Sequence, residues 1–273
     1  MIFEYEFMQR AFAVGIMLAI IMPCIGVVVV LKRLSMVGDA LSHTSLAGVA
    51  TGLIFNFNPI VGAVAACTLA AFGIDAIRKK IPKYSEMSIA IIMSAGIGLA
   101  GVLSGFVQNA QSFNSFLFGS IVAISDFELQ LVIIISLIVL ITFILLYKEL
   151  FYISFDEQSA RLAGVPVRLV NFIFTLLTAV TVSIAARTVG ALIVSSMMVV
   201  PVACAMQVAK SYRKTVLWSI GFALLFTLSG LTVSYYAGLK PGGTIVLCGV
   251  ITLLFVFIIK KLIHGKAKTW ELK

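Results

Sequence analysis

A chain of 273 residues that is 61% hydrophobic, only 11% charged and of mean hydropathy +1.14 cannot be a soluble domain. Apolar stretches near the ~20 residues needed to cross ~30 Å of hydrocarbon recur from end to end, so residues 1–273 are expected to form one all-α, polytopic transmembrane bundle. The net charge of +9 does not point to nucleic acid, because the basic residues stand in short clusters between apolar runs, where the positive-inside rule puts them.

In chain order, apolar runs predict nine spans, at about 11–31, 36–54, 59–77, 88–107, 129–147, 169–186, 188–209, 215–238 and 243–259. The first is too long for a signal-peptide core and lacks a basic leader, so it is expected to stay in the mature protein. Lys32 and Arg33, Arg78 to Lys80 with Lys83, Lys148 through Arg168, Lys210 to Lys214 and the Lys260–Lys273 tail would all be cytoplasmic. The N-terminus, with Glu4 and Glu6, would then lie outside, and Arg187 and Lys240 would be the only bases on the outer side. Residues 113–125 are apolar but short and predict a re-entrant or interfacial segment, for which Gly119 and the polar QNAQS lead-in suit non-helical backbone. Asn56-Phe57-Asn58-Pro59 and Lys240-Pro241-Gly242-Gly243 read as turns. Cys24, Cys67, Cys204 and Cys248 lie singly in apolar segments and predict buried free thiols.

The second span carries the chemistry. RLSMVGDALSHTSLAGVATG, residues 33–52, places Asp39 and His43, one of only two histidines, at the start of an apolar run. An Asp inside a span costs at least ~2.5 kcal/mol, so it is expected to face a polar pathway or a partner. With Ser35 as the cap, Asp39 falls where the helix dipole favours an anion, and His43 stands one turn on, roughly 40° around the axis. A carboxylate and an imidazole at this spacing can share one divalent cation such as Zn, Mn or Fe, with Ser42 beside them, but two ligands do not complete a site. The alternative is that the pair hydrogen-bonds within the bundle and only holds helices together. Gly48 and Gly52 form a small-xxx-small pair suited to a close helix crossing. The triad residue types Asp39, Ser42 and His43 do not make a hydrolase, since they crowd one helical turn and no G-x-S-x-G occurs.

The longest hydrophilic interval, residues 148–168, predicts a short helix that begins at Asp156 and Glu157, ends at Gly164 and is stopped by Pro166. It reads either as a solvated linker or as a docking surface. No Walker sequence is present, so ATP hydrolysis would belong to another chain. His264 lies in the basic tail and reads as solvated. The ten methionines read as packing, with Met197 and Met198 near Pro201 the pair to inspect.

KRLSMVGDALSHTSLAGVA resembles the signature of the membrane subunits of bacterial metal-ion ABC importers, the zinc, manganese and iron uptake family. SFDEQSARLAGVPV is similar to that family's coupling segment, and VGALIVSSMMVVPVACAMQVAKS to its late span with a central proline, here Pro201. The resemblance implies a multi-pass permease of the bacterial cytoplasmic membrane, similar in fold to cobalamin-type importers but lacking their first span. It implies a homodimer, two copies of a separate ABC ATPase, an extracellular metal-binding lipoprotein, and neither enzymatic activity nor a resident cofactor in this chain. Asp39 and His43 would line the metal pathway, and Asp156, Glu157, Ala160 and Leu162 would couple to the ATPase. The wording is most like the zinc branch of Gram-positive bacteria, which puts Zn2+ ahead of Mn2+ or Fe2+. Many relatives carry Glu followed by Asp where this chain has Glu86 followed by Met87. A proton-coupled metal transporter and a non-transporting scaffold are the alternatives. The first wants several intramembrane carboxylates, and the second leaves the cost of Asp39 unexplained.

Overall fold

The computed structural model describes residues 4–81, 84–107, 116, 119 and 124–268, and the side chains of all of these except 192 and 263–268. Among the described residues the regular elements are helical: α1 (Glu6–Leu31), α2 (Val37–Ile54), α3 (Pro59–Lys80), α4 (Ser85–Ser104), α5 (Asp126–Leu145), α6 (Tyr147–Phe155), α7 (Glu157–Leu162), α8 (Val167–Ala185), a π-helical turn (Ala186–Gly190), α9 (Ala191–Val208), α10 (Tyr212–Ala237) and α11 (Pro241–Lys268).

Local chemistry sets most of the boundaries. Asn58 accepts a hydrogen bond from the Ile60 amide at 2.9 Å and Pro59 opens α3, while Asn56 turns the chain at φ +54°, so the expected turn is present. Ser125 and Glu128 cap α5 reciprocally: the Glu128 amide donates to Ser125 Oγ, and the Ser125 amide donates to Glu128 Oε2. Ser35, however, does not cap α2. The preceding helix instead runs over through Arg33 at φ +58°, with the Leu34 amide returning to the Val29 carbonyl at 2.9 Å, and α2 starts behind Met36 with no side-chain cap.

Among the described residues, seven helices are long and apolar enough to cross a membrane by themselves: α1, α3, α4, α5, α8 with its π turn, α10 and α11. The expected nine is not confirmed: α2 is diluted by Asp39, Ser42, His43, Thr44 and Ser45, while α9 is an 18-residue helix of mostly apolar side chains. Residues 113–125 lie mostly outside the described residues; of them Phe116 is buried and helical, and Gly119 has φ +73° as the non-helical expectation required.

Burial separates inside from outside. In the most apolar window α1 is 72% buried, against 22% for each of α4, α5 and α11, whose exposed Ile, Leu, Val and Phe side chains suit lipid contact. Around the buried α2, close contacts replace apolarity as the source of cohesion. A Cβ on Gly48 would lie 2.2 Å from the Gly62 carbonyl oxygen of α3, and one on Gly52 would lie 2.8 Å from Pro59 Cα, so the small pair serves the crossing expected of it. Gly96 of α4 abuts Thr44, and Gly38 abuts Ser195 of α9. Cys67 donates its thiol to the Leu41 carbonyl across the α2–α3 contact at 3.2 Å. The cysteines are free, with Cys24, Cys67 and Cys204 buried and Cys248 partly so.

Candidate metal pathway

Twelve of the eighteen residues of α2 are buried, and Asp39 and His43 are not among them. α3 takes the Gly48–Gly52 face, α4 the Thr44 side and α9 the Gly38 side, so the described residues leave this carboxylate and imidazole on the face of α2 that is only partly covered. Ser42 lies deeper: it is 1% exposed and its hydroxyl donates to the Gly38 carbonyl at 2.7 Å, which ties it to its own helix. No group of three or more His, Cys, Asp or Glu suited to a metal occurs among the described residues. Asp39 and His43, the expected metal-facing pair, are not joined by a third such residue among the described residues of the same chain. Glu86 is exposed in the first turn of α4 beside the half-exposed Met87, so no second acid from that stretch is buried near α2. Met198 is fully buried, its sulfur close to Gly38 and its carbonyl against Gly26 of α1, which is the packing role expected of the methionines.

At the end of α1 nearest α7, Lys32 donates to Asn171 Oδ1 of α8 at 2.7 Å, while Asp75 pairs with Arg78 at 3.0 Å and with Lys79. Burial, aided by the Arg78 charge, pushes Lys32 down from 10.5 to about 8. Lys32, Asp75, Arg78 and Asn171 line a cavity of about 50 Å3 whose other walls include Leu41, Phe174 and Thr178.

The expected coupling segment is helical before Asp156 as well as after it. Asp156 caps α7, accepting from the Gln158 amide at 2.9 Å and from the Ser159 hydroxyl, and these bonds hold its carboxyl below the usual range. Gly164 at φ +84° ends the helix, with the Val165 amide returning to the Ala160 carbonyl. The four expected coupling residues play different parts. Asp156 is a cap, Glu157 starts the helix and sits 3.8 Å from Arg161, Ala160 is 1% exposed and packs inward, and Leu162 is 90% exposed. Sequence reading missed α6, which the charge in residues 148–157 disguises. Its Tyr147, Phe151 and Phe155, spaced one turn apart, stack around Tyr212 of α10 with ring centroids 5.2, 5.1 and 6.5 Å from it. That clamp fixes α7 to the bundle.

The end of the bundle opposite α7 holds charge that the sequence reading also overlooked. Arg10, in addition to Arg187 and Lys240, stands there: it pairs with Asp126 at 2.9 Å and with Glu6, and donates to the Ile124 carbonyl. Glu128, expected just outside the fifth span, lies within α5, 9% exposed and 2.8 Å from Arg187. His264 falls where the side chains are not described.

Residues 4–260 match the family model described as the ABC 3 transport family. The chain is 32% identical over 256 residues to the manganese transport system membrane protein MntC of Listeria monocytogenes, covering 93% of this chain and 91% of that one. It is 29% identical over 258 residues to the high-affinity zinc uptake system membrane protein ZnuB of Haemophilus influenzae, covering 94% and 98%. A chain of PsaBC from Streptococcus pneumoniae, solved in complex with Fab, superposes with a TM-score of 0.84 at 27% identity over 94% of this chain and 92% of that one. Agreement this long comes from a shared architecture and not from a local motif: the chain belongs to the ABC 3 transport family, as a multi-pass membrane permease of a metal-importing ATP-binding-cassette system.

Proposed function

We propose that this permease takes up a divalent transition metal, Zn2+ ahead of Mn2+ or Fe2+, from an extracellular metal-binding lipoprotein, working as one of two copies above two ABC ATPase subunits. The observation that carries the reading is the placement of Asp39 and His43 on the incompletely covered face of an otherwise buried helix. An ionised carboxylate facing lipid costs ~2.5–3.5 kcal/mol, so that face wants water, a cation or the same face of a second copy. Two copies would bring two carboxylates and two imidazoles together, a donor set that suits zinc or manganese. A shell of few or exchangeable ligands also suits transit, since a complete structural zinc site, at ~10–16 kcal/mol, would trap the ion. The same burial lets α2 cross the bilayer despite its polar residues, and the apolar 18-residue α9 crosses beside it. With them the spans number nine, the N-terminus lies outside, and α7 faces the cytoplasm to receive the ATPase through Leu162.

Manganese is the second reading, favoured by the likeness to MntC. Uptake of radiolabelled zinc and manganese per assembled complex separates the two and tests the site. Asp39→Asn and His43→Gln are expected to abolish uptake with assembly intact, and His43→Cys to retain part of the zinc uptake, since thiolate ligates zinc. If the pair serves only as helix glue, the variants lose expression first, and whatever protein assembles transports normally.

A further inference from the structure

At the outer end of the bundle a cavity of about 420 Å3 is lined by Leu53, Asn58, Ile60, Phe116, Phe127 and, on its inward wall, Glu128 and Arg187. Behind that wall lies a second void of only about 10 Å3, which reaches Val132, Ile184 and Thr188 and again has Ile60, Glu128 and Arg187 in its lining. The same three side chains thus stand as a septum between a roomy outer chamber and a space that holds at most about one water, for which ~10–15 Å3 is needed.

The septum is held from every side. Arg187 Nε donates to Glu128 Oε1 at 2.8 Å, Glu128 Oε2 accepts the Ser125 amide at 3.0 Å, and the two side chains are only 22% and 11% exposed. The Arg187 guanidinium lies 4.5 Å above the Phe116 ring. Arg187 itself rides on the π-helical turn, where the extra residue turns the chain between α8 and α9. Backbones close around that turn: a Cβ on Gly119 would lie 2.2 Å from the Val189 carbonyl carbon, and one on Gly242 would lie 2.8 Å from the Val189 oxygen. The outer chamber also borders α2, since Leu53 is ten residues, or roughly 15 Å, beyond His43 on the same helix.

We propose that the Glu128–Arg187 pair is an outer latch, closing the chamber at the outer end of α2 from the interior and opening when the pair parts. The latch rests on the reading of this chain as a metal permease. A cation entering the chamber meets a neutralised pair, and only separation of the pair leaves the Glu128 carboxylate available to it. The π turn is the part of the α8–α9 connection best able to accommodate that separation, because its backbone already departs from α-helical pairing.

The test uses the assembled transporter with Cys24, Cys67, Cys204 and Cys248 replaced and one reporter cysteine added. Thr188→Cys lies behind the septum and is 3% exposed in the native chain, whereas Phe127→Cys, 59% exposed, lines the outer chamber. A membrane-impermeant maleimide applied from outside should label the Phe127 reporter rapidly in all backgrounds and the Thr188 reporter slowly in the unsubstituted one. Glu128→Gln should speed the Thr188 reaction at least ~tenfold, because an ion pair no longer opposes opening. The exchanged pair Glu128→Arg with Arg187→Glu should slow it again. Should Glu128→Gln fail to assemble, Arg187→Lys, which keeps the charge but loses the planar guanidinium over Phe116, should give an intermediate rate. Equal Thr188 rates in all backgrounds overturn the latch. Labelling requires no metal, so a complex that shows the latch yet imports none of zinc, manganese and iron overturns the functional reading alone.

Discussion

If the glycine contact on α2 sets where Asp39 and His43 stand, adding one methyl group there must harm the protein more than the same methyl elsewhere. Gly48→Ala puts a Cβ 2.2 Å from the Gly62 oxygen, 2.6 Å from its carbonyl carbon and 2.7 Å from Ala66 Cβ, where ordinary contact begins at 3.4 Å. α3 would have to retreat by about 1.2 Å, the difference between 3.4 and 2.2. It cannot do so by letting α2 yield, because Gly96 presses on Thr44 from α4 and Gly38 on Ser195 from α9. Gly98→Ala on α4 is the control, since a Cβ there meets nothing within 4 Å. Both changes gain the same ~1 kcal/mol of helix propensity, so the difference between them isolates the overpacking term of ~1–3 kcal/mol. Thermal unfolding of the purified complex, followed by size-exclusion chromatography, should place Gly98→Ala at or above the unsubstituted protein and Gly48→Ala below it. Metal uptake per assembled complex should fall for Gly48→Ala only. Equal stability and equal uptake for the two variants would refute the claim that this crossing is tight and that it positions the polar pair.

Leu162→Glu should lower ATPase copurification while leaving the permease's own stability unchanged, because Leu162 is 90% exposed; Ala160→Glu, at a 1% exposed position, should destabilise the permease itself by several kcal/mol. The reverse ranking, or no effect of Leu162→Glu on ATPase retention, would return α7 to a linker. Lys32 gives the pH signature: in the folded protein it gives up its proton near 8, the unfolded chain keeps it to 10.5, so between these values the unfolded state binds more protons and stability rises with pH. Lys32→Met should lack that rise, which thermal unfolding of the two proteins from pH 7 to 10.5 would show; parallel profiles would refute a buried, desolvated Lys32.

The helical class and most span boundaries were legible because lipid imposes them: uninterrupted apolar runs and basic clusters report insertion energetics directly. The same logic fails for α2, since a helix sheathed by α3, α4 and α9 meets no lipid on those faces and needs no apolar surface there. Its place is set by glycines, and Gly48 and Gly52 did announce the crossing, though not that Gly62 and Pro59 would be the partners. The start of α2 falls within a residue of expectation, but its cap does not match. Ser35 has the right chemistry for a cap, but Arg33 in the left-handed region lets the end of α1 close on the Val29 carbonyl, leaving Ser35 inside the turn.

Within the candidate pathway, local spacing gave the Asp39–His43 face and hid what lies far off in sequence. The Asp156 cap and the Gly164 stop were readable because both are local motifs a few residues long. The Tyr147–Phe151–Phe155 stripe was also there to be read at one-turn intervals, yet charged neighbours made residues 148–157 look like solvent-exposed loop, and its partner Tyr212 is 57 or more residues away. Glu128 and Arg187 had no readable link at all, being separated by 59 residues and joined only by the packing of α5 against the π turn. Each alone reads as a loop charge at a span boundary. Together, at 2.8 Å and largely covered, they are an interaction whose one-sided removal leaves a charge without its counterion in a low-dielectric wall. Span counting is blind to such a pair because it asks whether a charge can be avoided by lipid, whereas the fold asks whether a second charge can reach it.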